Sequence, residues 1–283
     1  MSTASLDRRR FLSLLALGAF GVATGRVAAR QLNRIGLQMR SVAEAIADDL
    51  PGTLERIASI GYREVEFWTP EGLSFDALDV RRVLERLSLA APSRHVPMPD
   101  LFTNWRVVLT QCRALGNRHV VCDEIPEQER ATLDGYARVA DLLNAAGKIT
   151  EWAGIQLALH TQEDDFRPRE GIVPFDYLMS HTDPALVKFQ MDLSVMIRVN
   201  RDPLEDFARY PGRFVSVHLH GVGSAPERRP VGLGEGQINF AAIISSAERA
   251  GVQNYFIEDD RPDSPWDHAT ANFAYLSHLD IKE

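Results

Sequence analysis

The chain has 283 residues, 45% of them hydrophobic and 25% charged, and carries a formal net charge of −8 at pH 7. Its length suffices for one large domain with a full core. The acidic balance argues against nucleic acid as a partner, because neutralising phosphates takes Lys and Arg.

The first segment in chain order reads as an address. Arg8-Arg9-Arg10-Phe11-Leu12 fits the twin-arginine pattern of two arginines, any residue and an apolar pair. An uncharged stretch runs from Phe11 to Gly25, and Val27-Ala28-Ala29 then presents small residues to a signal peptidase. The stretch is too short to span a bilayer well, which favours a removed signal over an uncleaved anchor. Residues 1–29 are therefore expected to engage the twin-arginine export machinery, with residues 30–283 as the mature periplasmic domain. The signal holds four arginines and one acid, so the remainder has 27 basic against 38 acidic residues, a charge of −11. With no second apolar stretch of spanning length, no stable membrane span is expected after processing.

From Asn33 onward short apolar runs alternate with longer amphipathic ones. Predicted strands are Arg34–Met39, Glu64–Trp68, Pro92–Val96, His119–Cys122, Ile155–His160, Val187–Asp192, Phe214–Leu219 and Asn254–Glu258. Helical patterns between them include Gly52–Ile60, Phe75–Leu87, Trp105–Ala114, Thr132–Ala153 and Phe240–Ala250. Several stop at a glycine leading into the next strand, at Gly61, Gly116, Gly154 and Gly251. Eight strands over 254 residues give about 32 residues per unit, the period of a (β/α)₈ barrel. A doubly wound open sheet would show a glycine-rich turn after its first strand, which Gln38-Met39-Arg40-Ser41 is not. The longest irregular stretch, Gly221–Gly236, follows the seventh strand and should overhang the C-terminal mouth. Cys112 and Cys122 fit no zinc or thioredoxin spacing and read as two buried thiols, with a disulfide as the alternative.

Four of the strands end in a residue able to bind a metal: His160, Asp192, His218 and Glu258, spaced by 32, 26 and 40 residues. Side chains leaving the same end of neighbouring strands converge, and two imidazoles with two carboxylates describe a divalent-metal site. Asp192 and Glu258 each close an apolar strand, where an unpaired carboxylate is costly. His220 shares a strand face with His218. Asp259 and Asp260 behind Glu258 read as capping or supporting acids.

The stretches IGLQMRSV at 35–42, GYREVEFW at 61–68, APSRHVPM at 91–98, HTQEDDFRP at 160–168, KFQMDL at 188–193, YPGRFVSVHLHG at 210–221, GEGQINF at 234–240 and YFIEDD at 255–260 resemble the xylose-isomerase-like barrels, often called sugar phosphate isomerases/epimerases. The likeness lies in their order and spacing. It implies one divalent metal, Mn, Co, Mg or Zn, at the mouth, with ligands on strands five to eight. It also sets His218 as the ligand of strand seven and leaves His220 to reach a substrate oxygen. Many relatives carry glutamate where this chain has His160, so ordinary two-glutamate epimerisation is in question. The resemblance places Glu66 and His95 against the substrate or the metal's supporting groups. Trp68 reads either as a stacking platform for a sugar or as packing. Glu163, Asp164 and Asp165 form a solvated loop or supply a replacement base, and Arg228 and Arg229 of the long loop are candidates to close over a ligand. The resemblance also admits a homo-oligomer.

Such a metal polarises a carbonyl, and a carboxylate then removes the neighbouring C–H proton to give an enediolate. The leading expectation is a metal-dependent sugar isomerase or epimerase acting on a small-molecule carbohydrate, with Glu258 as ligand and base. A lyase or hydratase on a keto-sugar or keto-glycoside shares the intermediate. A non-catalytic periplasmic sugar-binding protein is the alternative of another class.

Overall fold

A computed structural model describes residues 30–259, 261 and 263–281. The proposed export signal and Asp260 lie outside the described residues. Eight parallel strands close into a barrel, in the order the alternating pattern requires. They are β1 (Gly36–Gln38), β2 (Glu64–Phe67), β3 (Ala90–Val96), β4 (His119–Cys122), β5 (Gln156–His160), β6 (Val187–Asp192), β7 (Phe214–Leu219) and β8 (Asn254–Ile257). Each pairs with its sequence neighbours, and β1 closes on β8 through Gly36 opposite Phe256. The fold is the (β/α)₈ barrel that the strand count and period predict.

The expected bounds of β4, β6 and β7 are those observed, and the other strand ends differ from expectation by at most two residues. The first strand is short because Met39 opens a 3₁₀ turn, Met39–Val42, in which the Gln38 side chain accepts from the Arg40 amide at 3.1 Å. Glu258 lies just past β8, yet its amide still donates to the Leu219 carbonyl at 3.2 Å and keeps it in line with the strand. The five expected helices form within two residues of their sequence limits. Gly116 closes its helix in the left-handed region at φ 82°, where a side chain would be strained. Among the described residues no helix is long and apolar enough to cross a membrane. Cys112 and Cys122 are both buried and unpaired, and burial pushes the Cys112 thiol up to about 11 despite the nearby Arg94.

The two faces of the barrel wall differ in chemistry. Outward alternates such as Leu37, Val65, Phe67, Leu157, Phe189, Val217 and Ile257 pack against the helices in the main core. Each fully buried side chain of this size contributes about 1.5–3 kcal/mol. Among the described residues Val121, Ala158 and Val215 form a small apolar cluster apart from that core, and Phe256 lies against the ring of His218. Glu66, Ser93, Gln190 and Ser216 point inward, all fully buried. Stability thus resides outside the barrel wall, and the interior is left for polar groups.

The stretch after β7 is more ordered than expected. Gly221–Val222 pairs antiparallel with Pro230–Val231, and Arg228 donates to the carbonyls of Ile197 and Arg198 at 2.7 and 2.9 Å. The loop is thereby pinned to the helix Leu193–Arg198 that follows β6. The acidic run after β5 is also tied down. Asp165 is buried, accepting from the Gln162 amide at 2.8 Å and the Tyr136 hydroxyl at 3.1 Å. Asp164 faces Arg130 and Arg167.

Burial raises the Asp165 carboxyl to about 6, against the opposing pull of the Gln162 amide and Tyr136. The folded state therefore holds its proton more tightly than the unfolded chain, and stability falls as pH rises from the unfolded value toward 6. Relative to wild type, Asp165→Asn should gain up to about 3 kcal/mol between pH 4 and pH 7. Urea unfolding of both proteins across that range checks this; parallel pH profiles would show that Asp165 ionises normally.

Candidate metal centre

His160 and Asp192 are the last residues of β5 and β6, His218 lies within β7, and Glu258 directly follows β8. Each offers one ligand atom, and the four atoms all lie within 4.8 Å of one another, every residue buried. His160 Nε2 is 3.5 Å from Asp192 Oδ2, and His218 Nδ1 is 2.6 Å from Glu258 Oε2. Asp192 divides its oxygens. Oδ1 accepts from the Val195 amide at 3.0 Å and Ser194 Oγ at 2.7 Å, capping the helix Leu193–Arg198. Oδ2 is left to face His160 and His220.

Glu66 lies one layer deeper, with no exposure at all. It accepts hydrogen bonds from Gln38 Nε2 (2.8 Å), Ser93 Oγ (2.6 Å) and Gln190 Nε2 (2.7 Å), and contacts His218 Nε2. Holding Nε2 from below turns Nδ1 of His218 toward Glu258, the usual way a carboxylate orients a ligand histidine. His95 sits beside this pair. Its Nε2 is 3.1 Å from Glu66 Oε2, its Nδ1 is 2.5 Å from Asp123 Oδ1, and its ring stacks on that of His218 at 5.3 Å.

Burial alone would raise the carboxyl pKa values of Glu66, Asp192 and Glu258, but the facing histidines outweigh it and hold all three well below normal. Burial would likewise lower His218, yet Glu258 and Glu66 raise it to about 9. His220 is raised well above its ordinary value, the carboxylates of Asp192 and Glu258 outweighing its burial. Protons on His218 and His220 thus balance the buried negative charge. They do so poorly: His160 Nε2, His218 Nδ1 and His220 Nε2 are buried without an aligned hydrogen-bond partner among the described residues. Orphaned polar atoms cost on the order of 1–3 kcal/mol each. These nitrogens face carboxylate oxygens across a shared centre, as ligands do. The set fits a divalent cation of the Mn, Co or Zn type, and its carboxylates also suit Mg.

Above the cluster opens a cavity of about 790 Å³, bordered by Arg40, Asp123, His160, Gln162, Arg198 and Glu258 among others. Glu66, His95, His218 and His220 do not line it. His220, expected at the substrate, faces Asp192 Oδ2 at 3.2 Å and Glu258 Oε2 at 3.3 Å. Trp68 borders an adjoining groove of about 590 Å³ with Trp266, and Arg40 lines both spaces. Arg229 is exposed and borders neither. The rim cations are instead Arg40 and Arg198, which sequence reasoning passed over along with Asp123. For Asp123 alternation along β4 offered the signal, since Val121 and Asp123 share a face; Arg40 sits in the 3₁₀ turn after β1, which the strand pattern does not reach.

Residues 54–276 match the family described as xylose isomerase-like TIM barrel. Solved structures share the fold. A sugar phosphate isomerase/epimerase from Parabacteroides distasonis ATCC 8503 is 22% identical at a TM-score of 0.76, covering 92% of this chain and 100% of that one. An L-ribulose 3-epimerase is 17% identical at a TM-score of 0.66, covering 87% and 93%. The IOLI protein, with a bound zinc atom, is 14% identical at a TM-score of 0.64, covering 85% and 95%. No curated protein matches the chain.

Loading with Mn or Zn should give about one ion per chain, and Asp192→Ala or Glu258→Ala should abolish it, as read by elemental analysis. Glu66→Gln, which loosens His218, should weaken affinity by roughly 10- to 100-fold. Because the metal-free protein keeps His218 protonated up to about 9, cation binding near neutral pH must expel protons. Affinity should therefore rise from pH 6 to pH 9. The raised histidine favours the metal-free fold at low pH and loses that effect as pH climbs through about 9, so the thermal-stability gap between loaded and metal-free protein should widen over the same range. Calorimetry in buffers of different ionisation enthalpy counts the protons; none released would rule this charge balance out.

Proposed function

The chain belongs to the xylose isomerase-like TIM barrel family, and from that premise we propose that it is a divalent-metal-dependent sugar isomerase or epimerase. One observation carries the reading: His160, Asp192 and Glu258 belong both to the buried His160–Asp192–His218–Glu258 cluster and to the lining of an open cavity. Those four residues would hold the ion, which supplies polarisation of a substrate carbonyl and charge stabilisation at its oxygen. Oε2 of Glu258 faces His218 and His220. That leaves Oε1 as the oxygen able to take a proton from the carbon beside the carbonyl. Arg40 and Arg198 at the rim present donors to substrate hydroxyls. Glu66 and His95 act from beneath, fixing His218 rather than touching substrate. Residues 1–29, taken as an export signal, would put the substrate outside the cytoplasm.

Elimination from a keto-sugar or keto-glycoside is the second reading. The groove bearing Trp68 and Trp266, which meets the cavity at Arg40, gives room for a departing substituent. Both routes begin with the same proton removal, so one experiment tests the shared premise. Mn-loaded protein incubated with a panel of keto-sugars in D₂O should place solvent deuterium beside the carbonyl of at least one, seen as loss of a proton NMR signal. Product analysis then separates epimer, isomer and elimination product. No exchange across the panel would overturn the proposal.

A further inference from the structure

We propose that Asp123 is the second acid–base group of this site, acting on the face of the substrate opposite Glu258; the inference rests on the function proposed above. Four carboxylates line the cavity among the described residues: Asp123, Glu124, Asp192 and Glu258. Asp192 is committed to its helix cap and to the cluster. The Glu124 side chain is 60% exposed and 4.0 Å from Arg130. Asp123 combines access to the cavity with a fixed position, and it is not one of the four clustered residues.

Its anchoring is threefold. Its amide donates to the Val96 carbonyl at 3.0 Å, extending the β3–β4 ladder by one residue. Gln162 Nε2 donates to its carbonyl at 3.3 Å while lying 3.1 Å from His160 Nδ1, which ties its position to that of a candidate ligand. Its Oδ1 is buried against His95 Nδ1 at 2.5 Å. The side chain retains 23% exposure, so Oδ2 is the oxygen left for the cavity. In the closed ring β4 and β8 are four strands apart, diametrically opposed. A substrate on the cluster floor therefore has Glu258 on one side and Asp123 on the other.

The proton inventory closes. Glu258 as carboxylate takes the proton from the C–H beside the carbonyl, and the bonding pair stays on the substrate as the enediolate. Asp123 then delivers a proton to the opposite face of that carbon, the C=C pair forming the new C–H bond. The cycle leaves Glu258 with one proton more and Asp123 with one fewer, and exchange with water resets both. In the reverse direction the roles swap. In elimination Asp123 protonates the departing oxygen instead.

Asp123→Asn keeps the shape of the side chain and removes the acid. On the substrate found active, Asp123→Asn should still wash solvent deuterium into recovered substrate through Glu258, while product formation falls by roughly a hundred- to ten-thousand-fold. Metal content equal to wild type by elemental analysis excludes a collapsed site, and Asp123→Glu should restore part of the turnover. Product formation at the wild-type rate in Asp123→Asn overturns the role of Asp123 alone, as does equal loss of exchange and product with full metal content. Wild-type protein inert on every keto-sugar overturns the reading of the site and this inference with it.

Discussion

The contact between Glu66 and His218 is the constraint around which the barrel interior is arranged. A carboxylate with no solvent exposure is tolerated only if its lone pairs are met by donors. Gln38, Ser93 and Gln190 meet them from three other strands, and His218 from a fourth. The result is a polar plug spanning β1, β2, β3, β6 and β7. It fixes the height and rotation of His218, and through it the point at which the ends of β5, β6 and β8 converge. A metal site whose ligands hung from loops would lack that reference.

The plug also explains how the chain divides its labour between stability and chemistry. An interior given over to Glu66, Gln190, Ser93 and Ser216 contributes little apolar burial, so the layer between strands and helices must carry the fold. The concentration of carboxylates inside has an electrostatic consequence. Glu66, Asp192 and Glu258 cannot all remain charged in low dielectric without nearby positive charge. Protonated histidines supply it in the metal-free protein, and a divalent cation would do so more compactly, since both the carboxylates and the orphaned ring nitrogens could turn to it.

The barrel was legible in the sequence because its strands are buried on the helix side and announce themselves as apolar runs, several of them introduced by a helix-stopping glycine. His160, Asp192, His218 and Glu258 were legible for the same reason: each interrupts or closes an apolar run at a repeated distance. What stayed hidden depends on contacts between elements. Glu66 reads locally as a residue near the mouth, and only the closed ring shows it enclosed on all sides. Arg229 looks poised over the site until the ribbon after β7 is seen pinned by its neighbour Arg228. Asp123 falls one residue beyond β4 and Arg40 two beyond β1, inside the 3₁₀ turn, where the apolar pattern that marks the strands has stopped. Asp165 sits in what reads as a solvated acidic run, and its burial follows from Tyr136, twenty-nine residues away in sequence.

The mouth carboxylates share one design. Each turns one oxygen toward a fixed neighbour and leaves the other for function: Asp192 accepts from Ser194 and the Val195 amide, Glu258 faces His218 and His220, and Asp123 faces His95. An unanchored carboxylate at the rim would sample several rotamers and stay hydrated, and would have to surrender both freedoms during each turnover. Anchoring settles that cost when the protein folds, so the remaining oxygen is oriented before substrate arrives. The anchors on opposite sides of the mouth meet at Glu66, which touches both His95 and His218. The distance between the two working oxygens is therefore set by the barrel interior rather than by the loops. The loops remain free to vary with the substrate while that spacing is kept.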